Sequence, residues 1–405
     1  MWHPWQLLST LRRPARVLDK VTTTHHRVLD HVTAKLTHHP LLFPQGFFSD
    51  GWGDLHVPSL LSQRLATDEK FAVAPIVDLQ LTPLRRLRRQ APLIVQGSFR
   101  TTLRDHAVLL PPVCHTAYFE LILPPEMAAT ASTSPLHIDG SKRPLVVLLP
   151  GTGEHGCTHR RLSVAEPLAR AGVATLVLEG AFYGRRRPPN QKGSKLRQRT
   201  SVSDLPILGL TTIEEAKSLL HHFQSHFQFE QLVVAGGSMG GLHAAMTAAL
   251  YPGDVGAASW VAPPSAIPAF TRGLLALSCN WQSLSQQKEL AMIDHLLSGH
   301  VSDYATAYSD EVAHVKQRLS AFLALTNIEN FPAPRREDAV VFSQATEDQY
   351  IGRNDDQWQL LMQRWPRATF RHVTAGHVSG LLFNSDAFVA TILDVITTLQ
   401  KPRSR

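Results

Sequence analysis

A single decapeptide constrains this chain more than any other stretch: Leu232-Val233-Val234-Ala235-Gly236-Gly237-Ser238-Met239-Gly240-Gly241, followed at once by the helix-forming run Leu242 to Leu250. An apolar run of strand length stops at small residues around one serine. Strand, sharp turn and helix in that order form a nucleophile elbow, G-x-S-x-G from Gly236 to Gly240. The serine backbone must sit in a strained region near the left-handed helix, and the residues two places to either side must lack bulk so that strand and helix can approach. Such a turn lifts the Ser238 hydroxyl to the top of a sheet. Taken alone, the pentapeptide also fits a strand-to-helix junction with an ordinary serine, so its meaning depends on context.

The context is an alternation of strands and helices. Pro144 to Leu149 is continuously apolar, as a strand covered on both faces should be, and it ends in the loop Pro150-Gly151-Thr152-Gly153-Glu154-His155-Gly156. A helical run (Ala165 to Ala171), a strand (Ala174 to Leu178) and a helix (Thr212 to Phe223) lead into the elbow. Beyond it, strands are predicted at Ala257 to Val261, Ala339 to Ser343 and Thr369 to Val373, with helices at Gln357 to Trp365 and Asp386 to Gln400. This order predicts an α/β fold, a mostly parallel central sheet with helices on both faces. Residues 264 to about 335 interrupt it, with helical patterns at Gln287 to Leu297 and Ala313 to Leu325. Their place after a sheet strand suggests a helical cap over Ser238, plain structural extension being the other reading. Upstream, Ala107 to Leu110 and Ala117 to Leu123 read as strands of an N-terminal antiparallel extension. Phe43, Phe47, Phe48 and Trp52, set among glycines, read as a buried loop.

A serine hydroxyl needs a base to take its proton, and the base needs an orienting acid. Behind an elbow of this kind the acid follows a later strand and the histidine follows the last. Asp348 stands in a turn after the strand 339-343, with adjacent Glu347 as its rival. His377 stands in a glycine-flanked loop after the strand 369-373, whereas His372 falls inside that strand. The developing oxyanion calls for two backbone donors. Met239, the residue after the nucleophile, supplies one at the positive end of the elbow helix, and Thr152 or next Gly153 supplies the other. Metal and cofactor are not part of this scheme.

Of the 405 residues, 43% are hydrophobic and 18% charged, the balance of a globular protein able to bury a large core. No window is apolar for long enough to span a membrane as a helix. Cys114, Cys157 and Cys279 are odd in number and widely spaced, which argues against a disulfide framework. The net charge of +7, with 21 histidines behind it, suits an anionic surface, and no nucleic-acid-binding pattern accompanies it. The first forty residues contain only the acids Asp19 and Asp30 and form a basic amphipathic segment. That composition fits a mitochondrial targeting or membrane-surface element, and equally an amphipathic helix on a cytoplasmic protein's surface. From Gly184 to Thr200 the chain carries Arg185, Arg186, Arg187, Lys192, Lys195, Arg197 and Arg199 without an acid. Such a loop offers charge-assisted bonds to an anionic head group, or is simply solvated.

Taken together, Phe48 to Gly53, Pro150 to His155, Leu178 to Arg187, Ser203-Asp204-Leu205, Gly237 to Gly241, Glu347 to Ile351 and Gly376-His377 resemble the alpha/beta hydrolase superfamily and, within it, the alpha/beta hydrolase domain-containing protein 18 family. The resemblance spans most of residues 45-400. It implies the alpha/beta-hydrolase fold, Ser238, Asp348 and His377 as a catalytic triad, and a lipid ester as substrate, with mitochondrial deacylation of a phospholipid such as cardiolipin as the expected activity. The same three residues also suit an acyltransferase, and a catalytically silent binding module is the reading from a different class.

Overall fold

A computed structural model describes residues 15-37, 39, 45-84, 90-127, 138-189, 201-286, 293, 311-352 and 354-403. The strands are β1 (Val77–Pro83), β2 (Leu93–Arg100), β3 (Thr116–Leu123), β4 (Leu145–Leu149), β5 (Ala174–Leu178), β6 (Leu232–Gly237), β7 (Gly256–Trp260), β8 (Val340–Ala345) and β9 (Thr369–Val373). They join in one nine-stranded sheet in the order β1-β2-β3-β5-β4-β6-β7-β8-β9. Every pairing from β5 to β9 is parallel, and β1, β2, β3 and β5 pair antiparallel. A mostly parallel sheet with an antiparallel N-terminal extension is therefore the fold, as the sequence pattern predicts.

The extension is not built from all the expected residues. Ala107 to Leu110 falls in the 3-10 turn Arg104–Leu109 and the residue that caps it, and the ribbon takes β1 and β2 instead. Pro111 and Pro112 follow directly and lack the N–H that a ladder needs, so this apolar run cannot continue as a strand.

Strands β4 to β8 are buried almost throughout, which is why they read as continuous apolar runs. On one face the helix Asp204–Phe227 and the elbow helix Met239–Leu250 cover the sheet, with Leu219, Phe223, Ala245 and Ala248 in that core. The other face carries the helical run from Thr158 to Arg170 and the C-terminal helix Ser385–Leu399, through Val164, Leu168, Phe388 and Ile392.

Two further layers sit at the carboxyl ends of the strands. The aromatic loop near the N-terminus packs with the insert: Phe47, Phe48 and Trp52 are buried with Phe270, Leu284, Leu319 and Phe322. The Trp52 Nε1–H donates to the Leu284 carbonyl at 3.1 Å, which satisfies the one polar atom of a fully buried ring. The expected helix Ala313 to Leu325 is present as Glu311–Leu323, whereas Gln287 to Leu297 lies outside the described residues except for buried Ile293. The second layer is the N-terminal helix Ala15–Thr37, which packs against the helix His377–Leu382 and the turn Leu274–Ser278. Phe43 lies outside the described residues.

Switching from β4 outward to β5 on one side and to β6 on the other places two loops side by side at this edge: the Pro150 loop after β4 and the elbow after β6. Their approach is close. A Cβ on Gly236 would lie 2.4 Å from the Gly240 carbonyl carbon, and one on Gly240 would lie 2.6 Å from the Leu149 oxygen. Gly236→Ala should therefore force strand and helix apart and cost roughly 1–3 kcal/mol, as overpacking does. A lowered denaturation midpoint with an unchanged slope is the expected reading, and an unchanged midpoint would contradict this account.

Candidate active site

Ser238 has φ 54° and ψ −126°, a conformation a non-glycine residue adopts only when its surroundings impose it. The surroundings are visible: the Ser238 N–H donates to Trp260 O at 2.9 Å, and Gly241 and Leu242 bond back to the Ser238 carbonyl as the helix begins. The side chain is thereby aimed at a cavity of about 330 Å³ whose walls include Gly151, Thr152, Trp260, Tyr350, His377 and Leu382. A narrower apolar cleft of about 50 Å³ lies on its other side, under Leu242, Pro263, Ala269 and Phe270.

Residues 139 positions apart meet at this serine: its Oγ is 3.0 Å from Nε2 of His377. The His377 Nδ1 is 2.7 Å from Asp348 Oδ2. An ionised carboxylate only accepts, so Nδ1 carries the proton and Nε2 is left to accept from the hydroxyl. Asp348 is itself held, because its Oδ1 accepts the Ile351 N–H at 2.9 Å. Tyr350 stacks on the imidazole with ring centroids 5.1 Å apart, fixing the ring plane. Glu347, the rival acid, points away and pairs with Arg27 at 2.6 Å. His372 is exposed on β9. Burial works against a charge on the His377 ring, but the Asp348 carboxylate by charge and hydrogen bond, with Asp30 adding to it, outweighs burial and raises the pKa above the usual 6.5.

Thr152 and Met239 are also brought together, the Thr152 hydroxyl lying 3.4 Å from Met239 Sδ. Met239 is the first residue of the elbow helix. Gly153 is oriented elsewhere, since its N–H donates to the Tyr183 hydroxyl at 3.4 Å. The loop has its own brace: Glu154 accepts the Gly151 N–H at 3.1 Å and pairs with Arg160 at 2.7 Å, while Arg160 donates to the Leu148 carbonyl at 2.6 Å. His155 Nδ1 accepts the Gly184 N–H at 3.0 Å, which ties the same loop to the one after β5.

The arginines expected to hold an anionic head group are placed differently. Arg186 is fully buried and paired with Glu215, its guanidinium nitrogens lying 2.7 and 2.8 Å from the two carboxylate oxygens, and it also donates to the carbonyls of Cys114 and Glu179. Arg185 lies over the Tyr118 ring and pairs with Glu179. Neither these two nor Arg187 lines either cavity beside Ser238. A run of arginines looks solvated in sequence, but an acid 29 positions later takes the middle one into the core. Lys192, Lys195, Arg197 and Arg199 lie outside the described residues.

Sequence reasoning missed three residues of the N-terminal helix. The buried Asp30 carboxylate accepts the N–H groups of Gln349, His377 and Val378 at 3.0, 2.9 and 2.9 Å. His26 Nδ1 lies 2.8 Å from the Ser379 hydroxyl, and Arg27 holds Glu347. The one signal available was that Asp30 is a rare acid in a basic segment.

A parallel sheet with an antiparallel start, a serine in a strained elbow after β6, an acid after β8 and a histidine after β9 make this an alpha/beta hydrolase in architecture. The model of the family described as "Alpha/beta hydrolase domain containing 18" matches residues 45–398, and the chain belongs to that family. Solved structures similar to it include an acetyl xylan esterase from Paenibacillus sp. R4, 12% identical over 84% of this chain and 95% of that one, with a TM-score of 0.48. Acetyl xylan esterase 1 from Thermoanaerobacterium sp. JW/SL YS485 is 13% identical over 87% and 96% of the two chains, with a TM-score of 0.48. A hyperthermophilic esterase from the archaeon Pyrobaculum calidifontis is 12% identical over 91% and 97%, with a TM-score of 0.42.

Two measurements probe this geometry. In an NMR titration the His377 ring should titrate above the ordinary histidine value, and Asp348→Asn should lower it, because the carboxylate that favours the imidazolium is gone. No shift between the two proteins would contradict the pairing. Arg186→Ala should cost roughly 3–5 kcal/mol by stranding a buried Glu215 charge; a denaturation midpoint equal to that of the wild type would return Arg186 to the list of available cations.

Proposed function

We propose that this alpha/beta hydrolase is a serine esterase that removes an acyl chain from a phospholipid at a membrane surface, with Ser238, His377 and Asp348 as its catalytic triad. The observation that carries the reading is the continuous chain Ser238 Oγ, His377 Nε2 at 3.0 Å, His377 Nδ1 and Asp348 Oδ2 at 2.7 Å, opening on a cavity. His377 takes the Ser238 proton as Oγ attacks the ester carbonyl, and Asp348 stabilises the imidazolium so formed. The oxyanion is met by the backbone N–H groups of Thr152 and Met239. His377 then returns the proton to the departing alcohol, and water, deprotonated by the same ring, releases the acyl group from Ser238.

Several features favour a lipid over a small polar ester. The cleft beyond Ser238 is walled by Leu242, Pro263, Ala269, Phe270 and Leu275, side chains that suit an acyl chain. Leu382 lines the larger cavity and is exposed, as is its neighbour Phe383. On the N-terminal helix, which packs beside them, Val28, Val32 and Leu36 form an exposed stripe at helical spacing. Arg27, His31 and Lys35 adjoin that stripe, and the chain as a whole carries +7. Apolar residues rimmed by basic ones suit an anionic bilayer. No helix among the described residues is long and apolar enough to cross one. Within this reading cardiolipin, an anionic lipid with several acyl esters, is the expected substrate, and the mitochondrion, to which the basic N-terminus points, is the expected compartment.

Ser238→Ala should abolish covalent labelling by a fluorophosphonate probe while leaving the melting temperature within about a degree, since the change removes one partly exposed hydroxyl. Wild-type protein should release fatty acid from cardiolipin-containing vesicles faster than from phosphatidylcholine vesicles, and added salt should narrow that difference by screening the surface charge. Full-strength labelling of the alanine variant would sink the triad; release from short-chain water-soluble esters alone would sink the lipid assignment.

A further inference from the structure

The N-terminal helix packs on the domain through Ala34 and Leu29, which meet Leu274, Tyr350 and Val378. Beside these apolar side chains it also presents a carboxylate. Asp30 is fully buried, and what it meets is backbone: Oδ2 accepts the N–H groups of Gln349 and His377, and Oδ1 accepts that of Val378. Gln349 directly follows Asp348, and His377 begins a helix whose first N–H groups have no partner within it. One side chain thus bridges the turn that carries the acid and the helix that carries the base.

The neighbours on the same helix repeat the pattern. Arg27 pairs with Glu347 on the acid's turn, and His26 meets Ser379, whose hydroxyl accepts the Gly376 N–H at 2.9 Å. Gly376 is small because of this contact: a Cβ there would lie 2.9 Å from the His26 carbonyl oxygen and 3.0 Å from both Asp30 oxygens. Helix residues four apart share a face, so His26 and Asp30 act from one side.

We infer that Asp30 is a positioning residue of the proposed esterase, setting the separation of His377 and Asp348 from a helix that lies outside the sheet. It touches no substrate and works through the two loops it joins. The inference rests on the serine-esterase reading for its kinetic readout, not for its geometry. The His377 ring meets Asp348 at Nδ1, Ser238 at Nε2 and Tyr350 on its face, while Asp30 meets the residue's backbone N–H; His26 lies behind Ser379 and the Arg27–Glu347 pair sits on the turn of Asp348.

The test is Asp30→Asn in the full chain, assayed with a water-soluble p-nitrophenyl ester. The amide keeps the volume but turns one acceptor into a donor facing backbone N–H groups. Displacement of the ring by a fraction of an ångström to one ångström should lower kcat on the order of 10²-fold, with KM within about threefold because substrate contacts are untouched. The acid limb of kcat/KM should move to lower pH, since a negative charge that favours the imidazolium has been removed. A protein that only lost packing would show neither the shift of the limb nor the split between kcat and KM. His25→Ala, exposed on the same helix and outside both the bridge and the apolar stripe, should behave as wild type. A wild-type kcat and acid limb in Asp30→Asn overturn the inference.

If Asp30→Asn does not fold, His26→Ala tests the same bridge more gently: a several-fold lower kcat at a wild-type melting temperature supports it, and a wild-type kcat overturns it. Should the wild-type protein itself prove inert with esters, the esterase reading fails by itself. The NMR titration of His377 then decides on Asp30, a lower titration point in Asp30→Asn supporting the bridge and an unmoved one overturning it.

Discussion

Backbone crowding at one sheet edge governs the rest of the molecule. Ser238 can stand at φ 54° only because Gly236 and Gly240 let the strand, the elbow helix and the end of β4 come within contact distance. The same crowding sets the Thr152 hydroxyl 3.4 Å from Met239 Sδ, so that the loop after β4 and the start of the elbow helix are fixed by one packing arrangement. Strain of this kind persists only where surrounding structure over-determines it. Here that structure is a set of strands buried on both faces, with the Trp260 carbonyl holding the Ser238 N–H.

Asp348 and His377 arrive by a different route. They sit on loops after β8 and β9, which the backbone joins only at their start, where the N–H groups of Thr346 and Glu347 donate to the carbonyls of Val373 and Ala375 at 3.0 and 2.9 Å. Side chains supply further order: Asp348 accepts the Ile351 N–H, Tyr350 stacks on His377, and the Asp30 carboxylate lies between the two loops. Buried charge enters only where hydrogen bonds or an opposite charge can satisfy it, as with Arg186 and Glu215 on the far side of β5.

This division explains what could be read from the chain before its coordinates. Apolar runs and glycine spacing are local signals, and the predicted ranges for β5 and β9 agree with the observed Ala174–Leu178 and Thr369–Val373, with those of β4, β6, β7 and β8 close by. The positions of Ser238, His377 and Asp348 were legible for the same reason, each standing just past a readable strand. Long-range polar contacts leave no such trace. Nothing near Asp30 says that its partners lie 319 to 348 positions away, and nothing near Arg186 announces Glu215. Ala107 to Leu110 carries an apolar run like a strand's yet forms a 3-10 turn, because the two prolines behind it lack the N–H that a ladder needs.

A helix that reaches the turn of Asp348 and the loop of His377 from outside the sheet sets a limit on how far the chain can be shortened. A cut past His26 would leave the elbow intact while severing the contacts of His26, Arg27 and Asp30 from the chain that follows. The choice of a truncated fragment for crystallisation is bound by that limit.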